Sequence, residues 1–144
     1  MTERHVGFTG TRLGMSEEQM AVVASLLRRY GWLHHGDCFG ADAEAHRIAI
    51  RLGVRTHAHP PRINTLRAFC AADVIAIPKP YMARNADIVA ESCALIAAPA
   101  GVEPGTGSGT WGTIRLALHA KKPVTVVMPD GRMQRLGVFQ PEAA

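Results

Sequence analysis

Short apolar runs alternate with amphipathic helical segments along the 144-residue chain. The first run, residues 5–9, stops at Gly10, which is too early for a helix and suits a buried strand. Similar runs follow at 32–35, 54–58, 94–98 and 123–128. Strands that alternate with helices in this way predict a parallel sheet with right-handed crossovers and helices on both faces. The expected fold is therefore an α/β doubly wound parallel sheet of about five strands.

The helices are delimited by capping residues. Ser16 precedes two glutamates, which is typical of a helix N-terminus, and Gly31 and Gly53 are natural helix ends. Prolines at 60, 61, 78 and 80 interrupt regular structure over residues 59–80. No linker, repeat or second core is visible, so residues 1–144 are expected to form a single domain, with the tail after residue 131 partly ordered or covering a partner.

Charge and cysteine content limit the functional class. The net charge of +4 comes from scattered basic residues, which favours surface charge or a small anionic ligand over a nucleic-acid partner. Three widely spaced cysteines indicate neither a disulfide framework nor a zinc ribbon. The N-terminus has no secretion signal, and the apolar runs are far shorter than the ~20 residues of a membrane span. We expect a cytoplasmic protein with no membrane partner.

Three glycine-rich loops follow predicted strands, at residues 9–12, 36–42 and 105–111. Ligands of doubly wound sheets bind at this carboxyl edge, where glycines and helix N-termini present backbone N–H groups to an anion. The alternative is that the glycines only make tight turns, but three loops on one edge favour a phosphate site. The ligand-binding residues predicted from these loops are Gly10, Thr11, Arg12, Gly36, Asp37, Gly40, Asp42, Gly107, Ser108, Gly109 and Thr110.

Individual side chains in these loops have two interpretations each. Asp37 and Asp42 are either acceptors for ribose hydroxyls or helix caps. We favour the ligand role for Asp37 and a capping or loop-bracing role for Asp42. Trp111 either stacks on a base or packs its helix onto the sheet.

The histidines suggest no metal site. Alternation along the second strand sends His34 and His35 to opposite faces, so they are interpreted as core or loop-supporting residues. His57 and His59 share a face, but no cysteine or acidic cluster lies near them in the sequence to complete a zinc set. No metal is therefore expected, and no cofactor is required besides a nucleotide ligand.

Several motifs together resemble the SLOG superfamily of Rossmann-like nucleotide-binding proteins, in particular its YspA-like branch. They are Gly10-Thr11-Arg12, Gly40-Ala41-Asp42, Arg84-Asn85 and Ser108-Gly109-Thr110-Trp111-Gly112-Thr113-Ile114-Arg115, and the similarity covers residues 5–131. The resemblance implies a Rossmann-like three-layer sandwich and a nucleotide site that also includes Arg84, Asn85, Trp111 and Thr113. Related proteins pair through helices, so a homodimer or a multiple of one is expected, with an apolar face on the helix at 82–92.

The same superfamily contains the LOG phosphoribohydrolases, and the match to their motif is incomplete. Thr113 stands where those enzymes carry a glutamate, and Asn85 stands where they carry a lysine. Cleavage of an N-glycosidic bond needs a carboxylate near the ribose. We therefore predict a nucleotide sensor or carrier. The alternative is an N-glycosidase or phosphoribohydrolase that uses Arg84 with Asp37 or Glu91 as the carboxylate.

A third hypothesis is a single-stranded DNA-binding module like the DNA-processing protein family. The sequence lacks the aromatic ladder alternating with basic residues that such a groove requires. Nucleic acid is therefore the least favoured ligand.

Overall fold

A computed structural model describes residues 3–101 and 109–137 of the chain. Its elements are β1 (His5–Gly10), α1 (Glu17–Leu27), β2 (Trp32–His35), α2 (Ala41–Leu52), β3 (Arg55–Ala58), a short 3₁₀ turn (Asn64–Leu66), β4 (Val74–Ile75), α3 (Tyr81–Ala90), β5 (Ala94–Ala98), α4 (Gly109–His119), β6 (Val124–Val127) and β7 (Met133–Leu136).

The strands form one sheet in the order β4-β3-β2-β1-β5-β6-β7. All neighbouring strands are parallel except β6 and β7, which are antiparallel. The predicted doubly wound α/β fold is confirmed, with β3-β2-β1-β5-β6 as the five parallel strands expected. The structure adds two short edge strands, β4 within the proline-rich segment and β7 after the strand that the sequence analysis took as the last.

The two added strands are short and largely exposed. Both residues of β4 are exposed, and the polar β7 sequence is largely exposed at the opposite edge. An edge strand of this kind is stabilised by its backbone hydrogen bonds to the neighbour rather than by burial. The Val74-Ile75 pair of β4 is apolar but too short to have been predicted as a strand between the prolines of this segment, and the Met-Gln-Arg-Leu sequence of β7 does not alternate.

Each face of the sheet packs against one pair of helices. The first core joins β1 and β2 to α1 and α2, with Phe8, Leu27 and Leu33 fully buried. The second core joins β5 and β6 to α3 and α4 around Leu95 and Ile114. These two cores make a three-layer arrangement. Among the described helices, none is long and apolar enough to cross a membrane.

Local sequence explains where the first helix begins. The Ser16 hydroxyl accepts a hydrogen bond from the N–H of Gln19, and the Gln19 side chain accepts one from the N–H of Ser16. The Gln19 amide also donates to the carbonyl oxygens of Pro99 and Val127. The Gln19 side chain of this capping box therefore also connects α1 to the ends of β5 and β6 by hydrogen bonds.

The order in which strands are added to the sheet changes sides between β1 and β5. Strands β2 to β4 lie on one side of β1, and strands β5 to β7 lie on the other. The crevice at the carboxyl ends of β1 and β5 is the place where doubly wound sheets bind ligands.

Candidate functional site

A cavity of about 1000 Å³ opens at the carboxyl ends of β1 and β5, beside the N-termini of α3 and α4. Eight of the residues predicted from the sequence line it: Gly10, Thr11, Arg12, Asp42, Arg84, Asn85, Gly109 and Thr110. The loop after β1, the first turn of α2 and the two helix N-termini therefore converge on one space.

The loop after β1 is held by backbone hydrogen bonds to both of its neighbours. The Thr11 N–H donates to the carbonyl oxygen of Ala98, and the Thr11 carbonyl accepts from the N–H of Ala41. A Cβ on Gly10 would lie 2.5 Å from the Cβ of Ala41. The glycine thus permits the close approach of α2 that sets the shape of the cavity floor.

Arg84 is buried at the cavity floor, where its guanidinium holds three segments together. Nη1 donates to the carbonyl oxygens of Gly36 and His59, and Nη2 lies 3.6 Å from the Cys38 sulfur. Nε donates to the side chain of Asn85. Arg84 therefore braces the loops after β2 and β3 as well as facing the cavity.

Asp42 faces the same floor from the first turn of α2. Its Oδ2 accepts a hydrogen bond of 3.2 Å from the Cys38 N–H. Burial raises the pKa of Asp42 to about 6, while the Arg84 charge and the backbone N–H groups of Cys38 and Gly36 oppose that shift. Burial therefore shifts the pKa of this cavity carboxyl group towards neutral pH.

Four cavity residues with functional side chains were absent from the sequence prediction or entered it only as part of a motif: Cys38, Tyr81, Arg115 and His119. The guanidiniums of Arg12 and Arg84 lie 5.8 and 5.3 Å from the centre of the Tyr81 ring. Arg115 and His119 are four residues apart on α4 and therefore share a helix face. Arg115 and His119 could have been predicted as neighbours from this spacing of four residues in the sequence.

Asp37 is placed away from the cavity, contrary to the ligand role favoured by the sequence analysis. It is fully buried, and its carboxylate accepts hydrogen bonds from Arg67 Nε at 2.7 Å and the Cys70 N–H at 2.8 Å. Its φ of +56° is in the left-handed region that aspartate tolerates. Asp37 therefore organises the loop after β2 and does not line the cavity.

Four other predicted residues make contacts within the protein and do not line the cavity. Gly40 has a φ of +81°, and a Cβ there would lie 2.4 Å from the Arg12 carbonyl oxygen. Trp111 packs against the second core, which agrees with the packing interpretation. The Thr113 hydroxyl donates to the Gly109 carbonyl oxygen at 2.9 Å. Glu91 ends α3 and does not line the cavity.

Gly36 also does not line the cavity; it accepts the Arg84 hydrogen bond instead. The predicted ligands Gly107 and Ser108 lie outside the described residues.

The histidines are closer together than the sequence suggested. His34 Nδ1 lies 2.8 Å from His59 Nε2, and the His57 ring stacks on both of these rings. Glu91 Oε1 approaches His34 and His59 to 3.9 Å. Burial lowers the pKa of His34 to about 3 and that of His59 to about 4. The sequence analysis found no acidic cluster near His57 and His59 along the chain, and the fold brings one carboxylate, Glu91, to them from the end of α3.

His35 lies on the opposite face of β2, as alternation predicts, and its hydrogen bonds define its tautomer. The Asp37 N–H donates to His35 Nδ1 at 3.0 Å, so Nε2 carries the proton and donates to His46 Nδ1 at 3.1 Å. Burial lowers the pKa of His35 to about 3. Its predicted role in supporting the loop after β2 agrees with these contacts.

No protein-family model matches the chain, and no curated protein matches it. Several solved structures are similar to the chain. The molybdenum cofactor binding protein of Rippkaea orientalis aligns with a TM-score of 0.66 and 23% identity, over 89% of this chain and 78% of that one. The molybdenum cofactor carrier protein of Chlamydomonas reinhardtii aligns with a TM-score of 0.64 and 27% identity, over 86% and 76%. The fold is Rossmann-like.

A third likeness is to DNA processing protein A of Helicobacter pylori, a protein that binds single-stranded DNA. It aligns with a TM-score of 0.61 and 22% identity over 87% of this chain and 65% of that one. The predicted similarity in fold to the DNA-processing proteins is confirmed by this match. Together the neighbours are ligand-binding proteins on a common Rossmann-like framework.

Proposed function

We propose that this chain binds a nucleotide or another phosphorylated nucleoside-like ligand in the cavity at the β1/β5 crevice and acts as a carrier or sensor. The observation that carries the proposal is the charge of that cavity. Arg12, Arg84 and Arg115 line it together, and Asp42 is the one carboxylate among its described lining residues. Arginine guanidiniums keep their charge at all relevant pH values and match phosphate geometry.

The backbone supports the same ligand class. Gly109 begins α4, and a Cβ at this position would have nothing within 4 Å, so an anion can approach the helix N-terminus closely. The Thr110 side chain adds a hydroxyl in the next position. The cavity of about 1000 Å³ is at the upper end of the range for small-molecule sites, which suits a ligand of nucleotide size or larger.

The comparisons support a carrier role over a catalytic one. The Chlamydomonas reinhardtii protein, 27% identical, is a carrier of molybdenum cofactor. We therefore include that cofactor among the ligands to be tested, beside nucleoside phosphates and NAD. We also propose membership of the SLOG superfamily, YspA-like branch, because Gly10, Thr11, Arg12 and Arg84 of its motifs line the cavity.

We infer a cytoplasmic location from the three cysteines, all of which are free thiols. A reducing compartment keeps such residues in this state.

Calorimetry with nucleoside mono-, di- and triphosphates, NAD and molybdenum cofactor tests the proposal. Arg12→Ala and Arg115→Ala should each weaken binding of the tightest ligand by roughly tenfold or more, because each removes a charge-assisted contact. Arg51→Ala is the matched control, since Arg51 is an exposed arginine at the end of α2 that does not line the cavity. Binding that is equally strong in all three variants would place the ligand elsewhere.

A second candidate function is N-glycosidase chemistry, and the position of Asp42 favours it. The carboxylates considered from the sequence, Asp37 and Glu91, do not line the cavity, whereas Asp42 does and has a pKa raised to about 6. A group with that pKa serves as a general acid or base near neutral pH. Release of free base from a nucleoside monophosphate, abolished by Asp42→Asn, would favour the enzyme over the carrier.

Single-stranded DNA binding has less support. Tyr81 is the one aromatic residue among the described residues lining the cavity, and non-specific binding of a strand relies on several stacking platforms. A salt-dependent shift of single-stranded DNA that competes with nucleotides would support this alternative.

A further inference from the structure

Four side chains from three elements meet beneath the C-terminus of α3, away from the cavity lining. They are His34 of β2, His57 of β3, His59 directly after β3, and Glu91, which ends α3; we call them the His34 cluster. Each offers one ligand atom, and these four atoms all lie within 4.8 Å of one another. Three imidazoles and a carboxylate are a donor set that zinc and related transition metals bind.

We propose that the His34 cluster is a binding site for one divalent transition-metal ion of the zinc class. This assignment is independent of the ligand proposed for the cavity. It rests on three observations: the spacing of the donor atoms, the access of the site to solvent, and a second hydrogen-bonding shell.

The spacing fits a tetrahedral ion after small side-chain movements. Metal–ligand bonds of about 2.1 Å place tetrahedral donor atoms about 3.4 Å apart. The distance from His34 Nδ1 to His59 Nε2 is 2.8 Å, and each of these atoms lies 3.9 Å from Glu91 Oε1. The required separation falls between these values, so shifts of about half an ångström would bring these three atoms to it. The ligand atom of His57 lies within 4.8 Å of the other three.

The site has an entry side and a closed side. Glu91 is 45% exposed and His57 half-buried, whereas the side chains of His34 and His59 are 2% and 1% exposed. An ion from solvent would therefore meet the carboxylate first and then the imidazoles.

His5 supplies a second shell. Its Nδ1 lies 2.8 Å from His34 Nε2, the nitrogen opposite the proposed ligand atom of His34. Metal-bound histidines ordinarily donate this second N–H to an acceptor, which fixes the tautomer and the ring orientation. The His5 ring is itself held by stacking on Trp32 at 5.4 Å.

A second group, His35, His46 and Cys70, fits a metal less well. The backbone N–H of Asp37 occupies the lone pair of His35 Nδ1, so the proton of this imidazole is on Nε2, the nitrogen that faces His46 and that would otherwise bind the metal. Burial raises the pKa of the Cys70 thiol to about 12, which disfavours the thiolate that a metal needs. This group therefore provides a control for the location of the metal.

Four protein ligands complete a tetrahedral shell, which is typical of structural rather than catalytic zinc. The ion would join β2, β3 and the end of α3. Its expected effect is a higher unfolding temperature, because a ligand that binds only the folded chain stabilises it.

The test uses the full chain without a histidine tag, stripped of metal by a chelator and dialysed. Co²⁺ is added and its visible absorption recorded, and Zn²⁺ affinity is measured by competition with a chromophoric chelator. We expect one Co²⁺ per chain, with the intense visible bands of tetrahedral coordination, displaced by Zn²⁺. Zn²⁺ should also raise the unfolding temperature.

Variants locate the ion. His57→Ala and Glu91→Gln remove ligands at the exposed side, and each should weaken Zn²⁺ binding by at least about tenfold, the lower end of the effect of second-shell changes. His119→Ala, which changes an exposed histidine of the cavity, and Cys70→Ser should keep the affinity of the parent. Circular dichroism of the metal-free variants establishes that they are folded.

Three results would overturn the proposal. The first is a folded parent chain that binds neither ion. The second is parental affinity in folded His57→Ala and Glu91→Gln. The third is loss of binding in Cys70→Ser, which would move the metal to the second group.

Discussion

The guanidinium of Arg84 occupies the space that a side chain on residue 36 would need. Its Nη1 donates to the carbonyl oxygen of Gly36, and a Cβ on residue 36 would lie 2.5 Å from that Nη1 and 3.0 Å from Oδ2 of Asp42. Gly36 therefore serves the site indirectly. It allows a buried arginine and a buried carboxyl group to share the floor of the cavity.

Gly36→Ala should move Arg84 and weaken both the fold and the site. The displaced guanidinium loses buried hydrogen bonds, so we expect the free energy of unfolding to fall by about 1–3 kcal/mol. Urea unfolding measures this loss, and calorimetry measures the expected weaker nucleotide binding. Gly101→Ala is the matched control, because a Cβ there would have nothing within 4 Å. Equal stability of the two variants would contradict the role given to Gly36.

Gly109→Val should weaken phosphate binding with little effect on folding. The added methyl groups would extend into open space at the N-terminus of α4, where an anion would approach the backbone N–H groups. Gly109→Ala adds a smaller group and should have an intermediate effect. Calorimetry with nucleoside phosphates provides the measurement. Unchanged affinity in a folded Gly109→Val chain would remove this helix N-terminus from the site.

Asp42→Asn should make the stability of the protein less dependent on pH. The pKa of Asp42 is raised to about 6 in the folded chain, above its ordinary value of 3.8. Its contribution to stability is therefore fully present below pH 4 and is lost as the pH rises through 6. Between pH 4 and pH 7 the variant should gain on the parent by at most about 3 kcal/mol.

Urea unfolding of parent and Asp42→Asn at pH 4, 5, 6 and 7 checks this difference. A gain in the opposite direction would mean that the Arg84 charge outweighs burial and keeps the carboxylate ionised in the folded chain.

We expect little or no release of free base from nucleoside monophosphates. Thr113 stands where the LOG enzymes carry a glutamate, and its hydroxyl is bonded to the Gly109 carbonyl oxygen. Loss of a charge that stabilises the transition state commonly costs about a hundredfold to a thousandfold in rate. Chromatography after a long incubation at high protein concentration tests this, with Arg84→Ala run in parallel. Release by the parent that stops in Arg84→Ala and Asp42→Asn would establish an enzyme.

A homodimer, or a multiple of one, remains our prediction for the assembly. Met82 at the start of α3 is 76% exposed, and Ile75 and Ile77 at the β4 edge are 52% and 81% exposed. Burial of such apolar groups against a second copy is favourable, and pairing about a two-fold axis is the commonest closed arrangement. Light scattering that gives the monomer mass of 15.5 kDa at micromolar concentration would contradict it.

The order of the elements and the main ligand loops are local properties, and the sequence was sufficient for them. Apolar runs that end at Gly10 and Gly36 predicted β1 and β2, and Ser16 predicted the start of α1. Parallel strands bring their carboxyl ends to one edge, so Arg12 and Gly109 could be expected near each other from connectivity alone. Six residues predicted from the loops line the cavity for this reason, and Arg84 and Asn85, which also line it, were predicted from the family resemblance.

Distances between elements depended on strand register and helix packing, which the sequence does not reveal. Asp37 and Asp42 are five residues apart, yet the loop after β2 turns Asp37 towards Arg67 and Asp42 towards the cavity. Glu91 is far in sequence from His34, but the crossover from β4 through α3 returns it to within 3.9 Å. The sequence alone determines the chemistry of each side chain and the periodicity of each helix and strand. The close approach of His34, His57, His59 and Glu91 results from long-range packing, which only the folded chain determines.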